Sequence, residues 1–179
     1  MSSRFERVGS ETLHEGKFFS VRKEVFRHED GAEAEREIVV HTGAVGIVAL
    51  EGEALWFVRQ PREAIGSPDL LEIPAGKLDE DGEEPLETAK RELAEEIGKQ
   101  ADDWEPLGSF YTSPGFTNEQ VHLFLATGIS DADQEAEVDH NERIDIETRT
   151  LAELGAVLAE TQDSKTLIAL SRLRERLGT

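Results

Sequence analysis

Cysteine is absent from the 179 residues, which excludes disulfides, thiolate metal ligands and a cysteine nucleophile. Basic residues are scarce. Nineteen Lys and Arg face 39 Asp and Glu, a formal charge of −20 at pH 7, and such a chain repels a phosphate backbone, so nucleic acid is not an expected partner. Any anionic small-molecule substrate would have to approach through divalent cations or a local arginine cluster. Long hydrophobic runs are also missing. The longest, residues 43–50 (GAVGIVAL), is too short to span a bilayer, and the opening MSSRFE lacks the apolar core of a signal peptide. No membrane association is expected, and the expected location is the cytoplasm. The histidines at 14, 28, 41, 122 and 140 show no metal-ligand spacing.

The chain does have enough apolar sequence to fold: 37% of its residues are hydrophobic, patterned from end to end, and its length suits a compact fold burying roughly 70% of the unfolded surface. The first forty residues read as strands, with a hairpin turning at Asp30-Gly31. Residues 43–50 are apolar on both faces, as in a buried central strand, and turn at Glu51-Gly52 into a strand over 54–59. Pro61, Gly66 and Pro68 mark a loop before a short strand, 70–74. Residues 85–97 have helical periodicity, with Leu86, Ala89, Leu93 and Ile97 on one face, Pro85 at the first turn and Gly98 as a stop. Strands are expected at 105–112, 120–127 and 143–150, then helices at 151–160 and 164–177, the last turning Leu167, Leu170, Leu173 and Leu177 to the core. Strands on either side of one helix, with helices at the end, indicate an α+β class.

On the 85–97 helix, Glu92, Glu95 and Glu96 fall within an arc of about 100°, beside the apolar stripe but clear of it. Like charges so placed weaken a helix by a few tenths of a kcal/mol per pair. Either they form a solvated acidic face or they hold a hard cation such as Mg²⁺, which takes carboxylate and carbonyl oxygens, water and substrate phosphates. Glu92 and Glu96, one turn apart, can bridge the same ions, with Glu95 a less direct ligand. Arg91 is expected to point away from this edge.

The run from Gly76 to Lys99, GKLDEDGEEPLETAKRELAEEIGK, resembles the Nudix box, G-x5-E-x7-R-E-U-x-E-E-x-G-U with U a bulky aliphatic residue. Gly76, Glu83, Arg91, Glu92, Leu93, Glu95, Glu96 and Gly98 fill its places. It departs twice: six residues separate Gly76 from Glu83, and Lys99 stands at the final aliphatic position. The insertion falls in the loop at 79–82, where extra length costs little. The resemblance implies a Nudix-type α/β/α sandwich with mixed sheets and a central loop-helix-loop motif. It also implies metal ligation by Glu92, Glu95, Glu96 and the carbonyl of Ala75, an Arg91–Glu83 pair fixing loop to helix, and Mg²⁺ or Mn²⁺ as cofactor. Gly76 would let the chain approach the ion closely.

Leu71-Glu-Ile-Pro-Ala-Gly76 before the box and Ser113-Pro-Gly-Phe116 after it, with Pro114 fifteen residues beyond Lys99, are similar to the ADP-ribose pyrophosphatase branch. By that resemblance Pro114, Gly115 and Phe116 contact substrate. Arg62, in a segment similar to the branch's Arg-Gln-x-Arg, is either a bidentate phosphate clamp or a surface arginine among acidic neighbours. Glu72 either hydrogen-bonds the ligand or orients the Arg62 loop. The catalytic residues would be Glu92, Glu96 and a base, supplied either by a box glutamate or by the acidic loop, where Glu142 aligns best and Glu137 and Asp139 are alternatives. Residues 1–41 would form a β-strand region that dimerises, and 42–179 the Nudix domain. In the homodimer Phe18, Phe19 and Val21 would wall an adenine site, unless they are ordinary core. The reaction implied is metal-dependent hydrolysis of ADP-ribose to AMP and ribose 5-phosphate. Other nucleotide sugars, oxidised nucleoside diphosphates and a non-catalytic ADP-ribose sensor are the alternatives.

Overall fold

The computed structural model describes residues 4–80, 82–133 and 143–178. They group into two compact units, residues 1–43 with 111–120, and residues 44–110 with 121–179. The first unit is an antiparallel sheet of β1 (Phe5–Glu15), β2 (Ser20–His28) and β3 (Glu33–Val40) in that spatial order. The turn expected at Asp30-Gly31 joins β2 to β3: the Ala32 N–H donates to Asp30 Oδ1 at 3.0 Å, and Gly31 supplies φ +84°. Residues 111–120, distant in sequence, join these strands through hydrogen bonds. Val39 N donates to the Phe116 carbonyl at 2.8 Å, and His41 N donates to Asn118 Oδ1 at 2.8 Å.

The second unit comprises β4 (Ala44–Glu51), β5 (Ala54–Arg62), β6 (Ser67–Glu72), β7 (Ala75–Lys77), α1 (Pro85–Ile97), β8 (Lys99–Tyr111), β9 (Gln120–Asp131), β10 (Asp145–Thr150), α2 (Leu154–Glu160) and α3 (Ser164–Leu177). Its mixed sheet runs β10-β5-β4-β9-β8, with β6 on β5 and β7 on β4; β4 and β9 are parallel. β4 is central and buried on both faces. Ala44 and Val48 pack with Leu170 and Leu173 of α3 and Leu154 and Val157 of α2, whereas Val45, Ile47 and Ala49 pack with Ala89, Leu93 and Ile97 of α1. The period-2 alternation of one strand therefore supplies both cores of an α/β/α sandwich. Each fully buried Ile or Leu contributes about 1.5–3 kcal/mol.

Three expectations need correction. β8 begins at Lys99 rather than 105, because the chain turns from α1 straight into the sheet at Gly98, whose left-handed φ of +65° closes the helix. β9 likewise runs on to Asp131. In α3 the buried set is Thr166, Ala169, Leu170 and Leu173, while Leu167 is half-buried and Leu177 exposed. The small residues Thr166 and Ala169 allow close approach that a leucine count overlooks. Lys99 occupies the final aliphatic position of the box. Its Nζ lies over the Trp56 ring, 4.6 Å from the centroid, and 2.6 Å from Asp131 Oδ1, so the charge is held between an aromatic face and a carboxylate.

Candidate active site

Helix α1 starts with Pro85 as predicted and ends at Gly98, whose N–H donates to the Ala94 and Leu93 carbonyls. Burial of Ala89, Leu93 and Ile97 against β4 fixes its rotation. Glu92 and Glu96 are thereby brought beside β7, the short strand carrying Ala75 and Gly76. Ala75 N donates to Glu96 Oε2 at 2.8 Å. A Cβ built on Gly76 would stand 1.8 Å from Glu92 Cδ and 2.0 Å from its Oε1. The missing side chain of Gly76 is thus the space that the Glu92 carboxylate occupies, a more direct reason for glycine than the close approach to an ion expected from sequence.

Arg91 does not point away from the carboxylates. Its Nη1 donates to Glu92 Oε1 at 2.9 Å and Glu95 Oε2 at 2.8 Å, and its Nη2 lies 3.3 Å from Glu83 Oε2 and 3.5 Å from Asp79 Oδ1. A long side chain swings around the helix surface, so Cβ direction alone misjudges where its charge ends. The contact with Glu83 ties the loop to the helix, and Thr88 Oγ1 adds a 2.8 Å bond to the same Glu83 oxygen. Burial works against the Arg91 guanidinium, yet Glu92, Glu83 and Glu95 hold its pKa above the ordinary arginine value. Burial pushes the Glu92 carboxyl up to about 7, with Glu95 adding to the rise and Arg91 opposing it.

Among the described residues no three His, Asp or Glu side chains converge as a preassembled metal cage. Mg²⁺ is commonly held by one or two carboxylates completed by water and substrate phosphate. Two half-buried carboxylates one turn apart, one of them raised in pKa by burial, fit a hard divalent cation that would offset the cost of their charge.

The two arginines of the 58–62 segment separate in role. Arg59 joins β5 to its neighbours through Glu147 of β10 and Glu160 of α2. Arg62 grips Glu72, Nε to Oε1 at 2.5 Å and Nη2 to Oε2 at 2.8 Å, and lies within the electrostatic reach of Glu96. Its Nη1 bonds to no described residue, and the side chain is 41% exposed. Glu72 is 1% exposed, and both of its carboxylate oxygens are engaged by Arg62. A second cation reaches Glu72: Lys165 Nζ, 2.7 Å from Oε2 and 2.9 Å from Asp163 Oδ1. Asp163 caps α3, accepting from Thr166 N at 2.9 Å and Thr166 Oγ1 at 2.6 Å, while Thr166 Oγ1 accepts from Ile73 N at 2.9 Å. Sequence reading missed Lys165 and Asp163. The Asp-x-x-Thr start of the last helix signals a cap, but nothing local shows that the cap's neighbour meets a glutamate of another strand.

Pro114, Gly115 and Phe116 lie in the N-terminal unit, where with Phe5, Phe26 and Arg36 they line a pocket of about 340 Å³. Phe18 and Phe19 are 52% and 45% exposed and do not line it. Glu137, Asp139 and Glu142 lie outside the described residues. No helix among the described residues is long and apolar enough to cross a membrane.

Comparison with known proteins adds four findings. A model of the NUDIX domain matches residues 40–170. An ADP-ribose pyrophosphatase of Mycobacterium tuberculosis is 44% identical over 139 residues, 77% of this chain and 66% of that protein, so the chain spans just under two-thirds of its length. An ADP-ribose pyrophosphatase of Bacillus subtilis is 38% identical over 170 residues, 93% of this chain and 91% of that protein. A crystal structure of an ADP compounds hydrolase superposes with a TM-score of 0.84 at 23% identity, covering 98% of this chain and 95% of the other, which is a likeness of fold.

Proposed function

The chain belongs to the Nudix family, and from that premise we propose that it hydrolyses the diphosphate of ADP-ribose to AMP and ribose 5-phosphate with Mg²⁺ or Mn²⁺. The observation that carries this reading is the docking of the intact box helix on β7, with Glu96 bonded to Ala75 N and Glu92 seated over Gly76. The choice of ADP-ribose is supported by the names of the relatives at 44% and 38% identity.

In this reading Glu92 and Glu96, with Glu95 and the Ala75 carbonyl, would hold the cation, and Arg62, part-exposed beside Glu72, would receive a phosphate oxygen. Bound metal supplies charge neutralisation at the diphosphate and a water acidified for attack. Arg91 restrains Glu92 and Glu95 while its pairing with Glu83 keeps the preceding loop on the helix. The water proton requires an acceptor, and we assign it to Glu142. Glu142→Gln should lower kcat by on the order of 10²–10⁴-fold with little change in KM; a change confined to KM moves the role elsewhere. We also assign self-association to the N-terminal strand region, where Phe5, Val8 and Leu13 of β1 and Phe18 and Phe19 of the β1–β2 connection are exposed.

The test is turnover by purified protein of ADP-ribose, other nucleotide sugars and oxidised nucleoside diphosphates, with Mg²⁺, Mn²⁺ or a chelator, alongside its sedimentation. Metal-dependent AMP release, with ADP-ribose best by kcat/KM, and a dimer are expected. A better substrate elsewhere in the panel would replace ADP-ribose, binding without turnover would make the chain a sensor, and a monomer would remove the dimer.

A further inference from the structure

Lys165 belongs to no motif, yet it is among the most deeply engaged cations near the box. It stands in the first turn of α3 between two carboxylates that burial has largely cut off from water: Glu72, 1% exposed, and Asp163, whose side chain is 10% exposed. Burial alone would lower the Lys165 pKa, but Asp163 and Glu72 outweigh it and hold the ammonium above the ordinary lysine value. The cluster Arg62, Glu72, Lys165 and Asp163 contains two positive and two negative groups and is therefore neutral as a set. Its internal division is what matters. Glu72 Oε2 is shared between Arg62 Nη2 at 2.8 Å and Lys165 Nζ at 2.7 Å. Without Lys165, the buried Glu72 would have Arg62 alone as its compensating charge, and Asp163 would add a second uncompensated negative charge nearby. Asp163 and Glu96 both act electrostatically on Arg62.

We propose that Lys165, in the first turn of α3, is a positioning residue that relieves Arg62 of part of the Glu72 charge and so leaves the Arg62 guanidinium available to the substrate diphosphate. This rests on the reading of Arg62 as a phosphate-binding residue. In a chain of net charge −20, how much of one arginine's charge remains uncompensated decides whether an anion is held there. Asp163 acts in the opposite sense to Lys165, drawing the ammonium away from Glu72.

Two substitutions therefore carry opposite signs. Lys165→Met should weaken ADP binding and raise KM for ADP-ribose about tenfold, with kcat changed much less, since the interaction concerns binding charge rather than the reacting atoms. Lys165→Arg should restore both. Asp163→Asn keeps a side-chain oxygen for the α3 cap but removes its negative charge, leaving the ammonium to Glu72, and should tighten ADP about threefold. A merely structural lesion would weaken binding in both variants. In an Arg62→Ala background, Lys165→Met should have no further effect on either constant.

The probe is ADP, measured by calorimetry with Mg²⁺, because it carries the diphosphate whichever nucleotide is the substrate. Wild type that binds ADP without hydrolysing ADP-ribose would refute the proposed reaction but leave this inference to the ADP constants. Unchanged ADP affinity in Lys165→Met, weaker binding in Asp163→Asn, or an effect of Lys165→Met that persists without Arg62 would each overturn it. So would a wild type that does not bind ADP. If Lys165→Met fails to fold, Lys165→Gln, measured in wild type and in the Arg62→Ala background, decides by the same two outcomes.

Discussion

Replacing Glu96 by Gln is expected to lower ADP-ribose turnover by on the order of 10³-fold while the melting temperature stays within a few degrees of wild type. The two halves of this expectation have separate causes. Glu96 Oε2 accepts a 2.8 Å hydrogen bond from Ala75 N, and the amide oxygen of an isosteric Gln can accept the same bond, so the junction of α1 and β7 survives. The amide cannot offer a second, anionic oxygen to a divalent cation. A ligand that contributes several kcal/mol to stabilising the developing charge accounts for a loss of this size, since each 1.36 kcal/mol is tenfold in rate. Steady-state rates over a Mg²⁺ titration, with a melting curve for each protein, check both halves. Substantial turnover at saturating Mg²⁺ would remove Glu96 from the metal site.

Gly76→Ala should be comparably damaging, by a different route. Its Cβ would lie 1.8 Å from Glu92 Cδ, well inside any tolerable contact, so one of the two must move. Gly76 does not have a positive φ, so the backbone accepts alanine without strain, and the colliding atoms are the far end of a flexible side chain. The Glu92 carboxylate is what yields. It leaves the position from which Oε1 meets Arg91 Nη1 at 2.9 Å. Activity should fall by on the order of 10²–10³-fold, as when a precisely placed charged group is lost, with modest destabilisation. Because the lesion acts through Glu92, Gly76→Ala combined with Glu92→Gln should be little worse than either alone. Multiplying losses in the double variant would show that alanine disturbs more than Glu92.

The legibility of this site follows the range of the forces that build it. The helix from Pro85 to Ile97 was readable because its boundary residues and apolar period are local, and that period carries Glu92, Glu95 and Glu96 to one edge whatever lies opposite. The insertion between Gly76 and Glu83 left this geometry intact, as loop length does not alter helical phase. The reach of Arg91 was misjudged because the end of a long side chain is set by the charges around it and not by its Cα–Cβ direction.

By itself, then, the sequence determined the class of fold, the doubly buried strand at residues 43–50, the ends of α1 and α3, and the acidic helix edge, all consequences of periodicity and capping within a few residues. Only the tertiary structure decided why residue 76 must be glycine, that Arg62 is held by Glu72, and that Lys165 and Asp163 join them. Gly76 and Glu92 are brought together by packing of α1 on β7, and Glu72 and Lys165 by packing of α3 beside β6. The shared oxygen between Arg62 and Lys165 exists only once both elements dock on the same sheet, and no local pattern encodes that meeting.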